Sequence, residues 1–146
     1  MHKTRGVEIS SGSLGQGLSV SVGMALAMRL DKLPGHIFTL IGDGESQEGE
    51  IWEAAMAASF RRLDNLCGIL DQNQVQQDSW TKEIKDLEPM KDKWLACGWH
   101  VCEVDGHNVK AVMDALNEAE GVKGKPSIIL AHTVKGKGVS FMENKA

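Results

Sequence analysis

Four short apolar runs alternate with four helical patterns along this chain, and that alternation limits its possible folds more than any other feature. The runs are 36–41 (HIFTLI), 66–70 (LCGIL), 99–104 (WHVCEV) and 127–131 (SIILA). The first, second and fourth are nearly continuous, as expected of strands covered on both faces. Ahead of the first strand, Leu18, Val22, Leu26 and Leu30 recur every four residues, while Val20, Met24, Ala27 and Met28 fill the other side. A helix apolar all round is expected to be buried. Trp52, Ala55, Met56, Ser59 and Phe60 form one stripe after Gly49, and Leu87, Met90, Trp94 and Cys97 form a second. Val109, Val112, Met113 and Leu116 form a third, with Asn108 as its N-cap. This order predicts an α/β fold: a doubly wound parallel sheet flanked by helices, with right-handed crossovers.

The 146 residues are expected to make a single domain, 1–146, with room for one core and little more. A net charge of −4 weighs against nucleic acid or an anionic membrane as the main partner. No apolar run approaches the roughly 18–20 residues that would cross a bilayer. Met1-His2-Lys3-Thr4-Arg5 leads into a polar, Gly-rich stretch rather than the apolar core of a signal peptide. Cys67, Cys97 and Cys102 are odd in number and form no CxxC pair, which predicts reduced thiols and a cytoplasmic location.

In open parallel sheets, ligands collect beyond the carboxyl ends of the strands. The first strand ends in Gly42-Asp43-Gly44 and the second in Asp71-Gln72-Asn73. If those strands are neighbours, Asp43 and Asn73 reach one point in space. A carboxylate, an amide oxygen, a backbone carbonyl and phosphate oxygens make the ligand set that a hard Mg²⁺ or Ca²⁺ ion prefers. Gly42 and Gly44 let the backbone approach an anion, and Gly44 can offer its N–H to a phosphate. Taken alone, Gly-Asp-Gly reads more readily as a strand-to-helix turn than as a metal site. The polar stretch 72–86 (QNQVQQDSWTKEIKD) has no periodicity and is expected to be a functional loop.

Gly42-Asp43-Gly44, then 28 residues, then Asn73 resembles the thiamine-diphosphate signature, with a helix and a strand between the two parts. GDGESQEGEIWEAAMAAS is similar to the transketolase version of that motif, and GVEISSGSLGQGLSVSVGMALA to the same family's cofactor-ring loop and following helix. DLEPMKDKWLACGWHVCEVDGHN and PSIILAHTVKGKGVSFMEN continue the resemblance, which is greatest to split transketolases whose diphosphate-binding subunit is a separate chain.

The resemblance implies a thiamine-diphosphate-binding fold holding thiamine diphosphate through Mg²⁺, with Ca²⁺ or Mn²⁺ as alternatives. Asp43, the Asn73 side chain and the Val75 carbonyl would bind the metal. Gly42 and Gly44 would lie at the diphosphate, and Gly12 and Leu14 would line the aminopyrimidine end. Glu48 would join a carboxylate network towards the second active site. The implied activity is transfer of a two-carbon ketol unit between sugar phosphates, within a homo-oligomer and beside a pyrimidine-domain subunit. The pyrimidine domain's glutamate and the family's two substrate-contacting histidines would come from outside these residues. A truncated cofactor-binding module without turnover, or a structural subunit with a decayed site, are the rival readings.

The loop departs from the family pattern Asn-Gly-Leu-Gln-Ile-Asp-Gly. Gln77 stands where an apolar residue would cover the thiazolium, and Ser79 replaces a turn glycine. Gln77→Ile is therefore expected to tighten cofactor binding. Cys97, His100 and Cys102 lack a fourth zinc ligand at sensible spacing and are expected to be core. His107, His132 and Lys135-Gly136-Lys137-Gly138 fall at strand ends, where they could meet an anionic substrate or simply face solvent. Trp52, Trp94 and Trp99 are expected in the core, with Trp80 in the polar loop as a candidate interface anchor.

Overall fold

The computed structural model describes residues 4–77 and 79–145. The first three residues, read above for a targeting segment, lie outside that range. Helix α1 (Gln16–Leu30) leads to strand β1 (Ile37–Gly42), a 3-10 turn (Gly44–Gln47) and helix α2 (Gly49–Phe60). Strand β2 (Leu66–Gln72) is followed by two short antiparallel strands, β3 (Val75–Gln76) and β4 (Ser79–Trp80). Helices α3 (Thr81–Ile84) and α4 (Met90–Ala96), strand β5 (His100–Asp105), helix α5 (Val109–Gly121) and strand β6 (Ser127–His132) complete the order. The main sheet is parallel throughout, in the order β1-β2-β6-β5. The four expected strands are present, and the polar loop holds the β3–β4 pair.

Side-chain alternation divides the sheet into two faces. Ile37 and Ile41, Leu66 and Leu70, and Ile128 and Leu130 point to one side, where they pack with α1, α2 and α4. Cys67, Ile69, Ile129, Cys102 and Val104 point to the other, under Ala115, Leu116 and Ala119 of α5. The doubly wound arrangement is thus formed, with three helices on one face and one on the other. Asn108 caps α5 as expected, its Oδ1 accepting from the Ala111 N–H at 3.1 Å.

The largest side chains sit between α2, α4 and the sheet. Trp94 stacks tilted on Trp52, with centroids 5.1 Å apart, and edge-on to Trp99 at 4.9 Å. Trp99 donates its indole N–H to the Ala55 carbonyl at 2.9 Å. Gly68, in central strand β2, leaves room for this packing. A Cβ there would fall 2.5 Å from Ile128 Cδ1 and 3.7 Å from the Trp99 ring.

Several burial expectations fail, for two reasons. β1 is an edge strand, and α5 covers only the far side of the sheet. Phe38 and Leu40 are therefore 43% and 72% exposed, so β1 is covered on one face only. Helix α1 buries Leu18, Ser21, Val22 and Ala25, but Leu30 on its outer side is 81% exposed. In α2 the buried contacts are Ile51, Ala54, Ala55 and Ala58, while Met56 and Phe60 face out. Small side chains let two helices approach closely, so the alanines rather than the bulky stripe mark the packed side. The same holds in α5, where Ala115 and Ala119 are buried and Val109 and Met113 are exposed. Among the described residues no helix is long and apolar enough to cross a membrane.

Candidate functional site

The β1 and β2 carboxyl ends meet because the strands pair in register, with Gly42 opposite Asp71. Asp43 leaves β1 as the N-cap of the 3-10 turn and is only 2% exposed. One carboxylate oxygen accepts from the Gly44 N–H at 2.7 Å, and the other from the Gln74 N–H at 2.6 Å. Burial is the largest influence on this carboxyl and raises its pKa, helped by repulsion from Asp71 and opposed by those two N–H bonds. An ionised carboxylate placed there gains from a neighbouring cation.

Asn73 lies just beyond β2. Its amide oxygen accepts from the Val75 N–H at 2.9 Å, and its amide nitrogen donates to Asp71 Oδ2 at 3.2 Å. Asp71 Oδ1 in turn accepts from the Thr133 hydroxyl beyond β6. Gly44 is tightly placed: a Cβ would sit 3.1 Å from Gln76 Cγ, and Gln76 is itself held by Gln47. A groove of about 610 Å³ opens beside these residues, bounded by Leu40, Ile69, Asp71, Asn73, His107 and Lys135. Asp43 is not on its wall. His107 is fixed there by its Nε2, which accepts from the Val134 N–H at 2.7 Å.

The loop before α1 is drawn to the same end of the sheet by Glu45, a residue that sequence reasoning passed over. Its carboxylate accepts from the Gly15 N–H at 2.9 Å and from the Gly42 N–H at 3.0 Å. Gly15 has φ +89°, and a Cβ on it would press 3.1 Å from Glu48 Cβ. Gly12 and Leu14 lie on this loop, with Leu14 53% exposed. Glu48 is the exposed N-cap of α2 and makes no capping hydrogen bond with its side chain. The sequence offered only one hint of Glu45's role, an acidic residue in the turn after the Gly-Asp-Gly.

Gln77 follows β3, exposed and at φ +52°. That changes the expectation for Gln77→Ile. A β-branched residue in the left-handed region is strained by about 1–2 kcal/mol, which opposes any gain from covering a cofactor ring. Gln77→Gly is expected to raise the thermal midpoint and Gln77→Ile to lower it, as measured by calorimetric unfolding. The reverse order would show that the loop backbone is free to relax. Trp80 is half-buried. His100 is paired with Glu118 at 2.8 Å.

The sequence pattern described as "Transketolase, thiamine diphosphate binding domain" matches residues 1–146. The chain is 55% identical over 145 residues to the 6-deoxy-6-sulfo-D-fructose transketolase subunit of a Clostridium species, covering 99% of this chain and 53% of that one. It is 45% identical over 141 residues to an apulose-4-phosphate transketolase subunit of Phocaeicola vulgatus, covering 97% and 50%. It thus spans about half the length of these two curated relatives. The crystal structure of transketolase from Campylobacter jejuni superimposes with a TM-score of 0.87 at 34% identity, covering 95% of this chain and 23% of that one. Transketolase from Leishmania mexicana gives 0.86 at 32%, covering 95% and 22%. The chain belongs to the transketolase family, over the stretch of its thiamine diphosphate binding domain.

Proposed function

We propose that residues 1–146 form one domain that holds thiamine diphosphate through Mg²⁺, with Ca²⁺ or Mn²⁺ as alternatives. Paired with a pyrimidine-domain subunit, it transfers a two-carbon ketol unit between sugars with anionic end groups. The observation that carries this reading is the convergence of buried Asp43 and the Asn73 amide at the ends of adjacent strands. One carboxylate, one amide oxygen and the Val75 carbonyl suit a hard divalent ion that completes its shell with phosphate oxygens.

When bound, the cofactor supplies a thiazolium carbon that serves as nucleophile and electron sink. The chain's own residues bind and orient. Asp43 neutralises the cation and, through the Gln74 N–H, holds the loop after β2 against β1. Gly42 and Gly44 keep side chains away from the diphosphate. Gly12 and Leu14 would border the aminopyrimidine end, Gln77 would lie towards the thiazolium, and Glu48 would join a carboxylate network towards the second active site. The exposed Leu14, Val20, Leu30 and Phe60 supply apolar area for a homo-oligomer and for the pyrimidine-domain partner. The two relatives named above are, by their names, transketolase subunits for a sulfo sugar and a sugar phosphate, which supports an anionic sugar as substrate. Three free cysteines fit a reducing cytoplasm.

Calorimetric titration of thiamine diphosphate with Mg²⁺, and again with a chelator, is the test. Binding is expected only with the metal. Turnover of a ketose–aldose phosphate pair is expected only once the pyrimidine-domain partner has been added. Turnover by this chain alone would overturn the division of labour. Binding without turnover beside its partner would make the chain a cofactor-binding module.

A further inference from the structure

The geometry points to Asp71 as the positioning residue that fixes which end of the Asn73 amide is turned towards the metal. This rests on the reading that Asp43 and Asn73 hold that ion. An amide ligand binds a cation through oxygen only, and its two ends are nearly equal in size. An asparagine at a metal site therefore needs a second contact that tells its ends apart. Here the amide nitrogen donates to Asp71 Oδ2 at 3.2 Å, and the amide oxygen accepts from the Val75 N–H at 2.9 Å. A flipped amide would set nitrogen against an N–H and oxygen against a carboxylate, losing both bonds and adding two repulsions.

Asp71 is itself held. Its other oxygen accepts from the Thr133 hydroxyl, and its backbone carbonyl accepts from the Asp43 N–H at 3.3 Å. Thr133 is secured through its own N–H, which donates to the Gln72 carbonyl at 3.3 Å. The neighbouring Val134 N–H donates to His107. The Asp71 carboxylate is thus braced by Thr133, just beyond β6 and distant in sequence from Asn73. Its Oδ2 lies on the nitrogen end of the Asn73 amide, so it acts on the ion through Asn73.

The test is a double-mutant cycle read by Mn²⁺ affinity, using electron paramagnetic resonance. It uses the full chain mixed with thiamine diphosphate and the pyrimidine-domain partner. Asp71→Leu, of similar size but without an acceptor, is expected to weaken Mn²⁺ binding about 10–100-fold, as loss of a ligand's hydrogen-bond partner does elsewhere. The same substitution made together with Asn73→Asp is expected not to weaken affinity relative to Asn73→Asp alone, since it also removes a carboxylate that would repel the new one. A carboxylate presents oxygen whichever way it turns, so it needs no orienting partner. Equal losses in both backgrounds would overturn the inference and leave Asp71 a structural or purely electrostatic role. Unchanged affinity in Asp71→Leu would overturn it as well. Asp43→Ala in the same assay separates the two levels: if it leaves Mn²⁺ affinity intact, the metal-site reading falls, and this inference with it.

Discussion

Replacing Asp43 by alanine is expected to weaken Mg²⁺-dependent thiamine diphosphate binding by at least about 100-fold, or roughly 3 kcal/mol. Asp43 supplies the carboxylate at the candidate metal site, and without it the cation has only neutral oxygens from the protein. The same substitution frees the Gln74 and Gly44 N–H groups that the carboxylate holds at 2.6 and 2.7 Å. Part of the loss would then come from a loosened loop. Asp43→Asn separates the two effects, because the amide keeps an acceptor for one N–H but removes the charge. Calorimetry should find both variants defective with Mg²⁺. Asn73→Ala should lose less, on the order of 10-fold, because an amide oxygen is the poorer ligand. Wild-type affinity in both Asp43 variants would remove that residue from the site.

The second large effect is on stability. Trp94→Ala is expected to cost about 3–5 kcal/mol, because a fully buried indole leaves a cavity that its neighbours cannot close. Trp52 and Trp99 both pack on that ring, so their contacts are lost together. Trp94→Phe should cost far less than its size suggests. The Trp94 indole nitrogen is buried without a hydrogen-bond partner among the described residues, and removing it relieves a desolvation penalty of about 1–3 kcal/mol. Trp99→Phe has no such compensation, because it breaks the bond to the Ala55 carbonyl. Urea unfolding should rank the three variants Trp94→Phe, Trp99→Phe, Trp94→Ala from most to least stable. Finding Trp94→Phe less stable than Trp99→Phe would mean that the Trp94 nitrogen has a partner in solution.

The two expectations differ in how far the sequence reaches. Asp43 could be singled out from the sequence, because Gly-Asp-Gly and Asn73 stand at a recognisable spacing with a helix and a strand between them. Trp94 could be placed in the core from its stripe with Leu87 and Met90, all three of which are buried. Its missing hydrogen bond could not, since that depends on what surrounds the ring in space. Phe60 shows the limit from the other side. Its stripe read as core, yet the residue is 81% exposed because α2 packs through alanines.

Features legible in the chain without its fold were local, or were motifs shared with relatives. Strand and helix periodicities act over two to four residues, so β1, β2, β5 and β6 and the longer helices could be read directly. The Asn108 cap acts over three residues and was legible for the same reason. Tertiary packing settled the rest. The order β1-β2-β6-β5 puts Thr133 beside Asp71 and so orients Asn73, across 62 residues of chain. Glu45 reaches Gly15 across 30 residues, and Gln77 takes a left-handed backbone that its residue type does not call for. These features arise where strand ends and loops from separate parts of the chain converge. No periodicity encodes such meetings, because each depends on which strands pair and on which face of the sheet a helix lies.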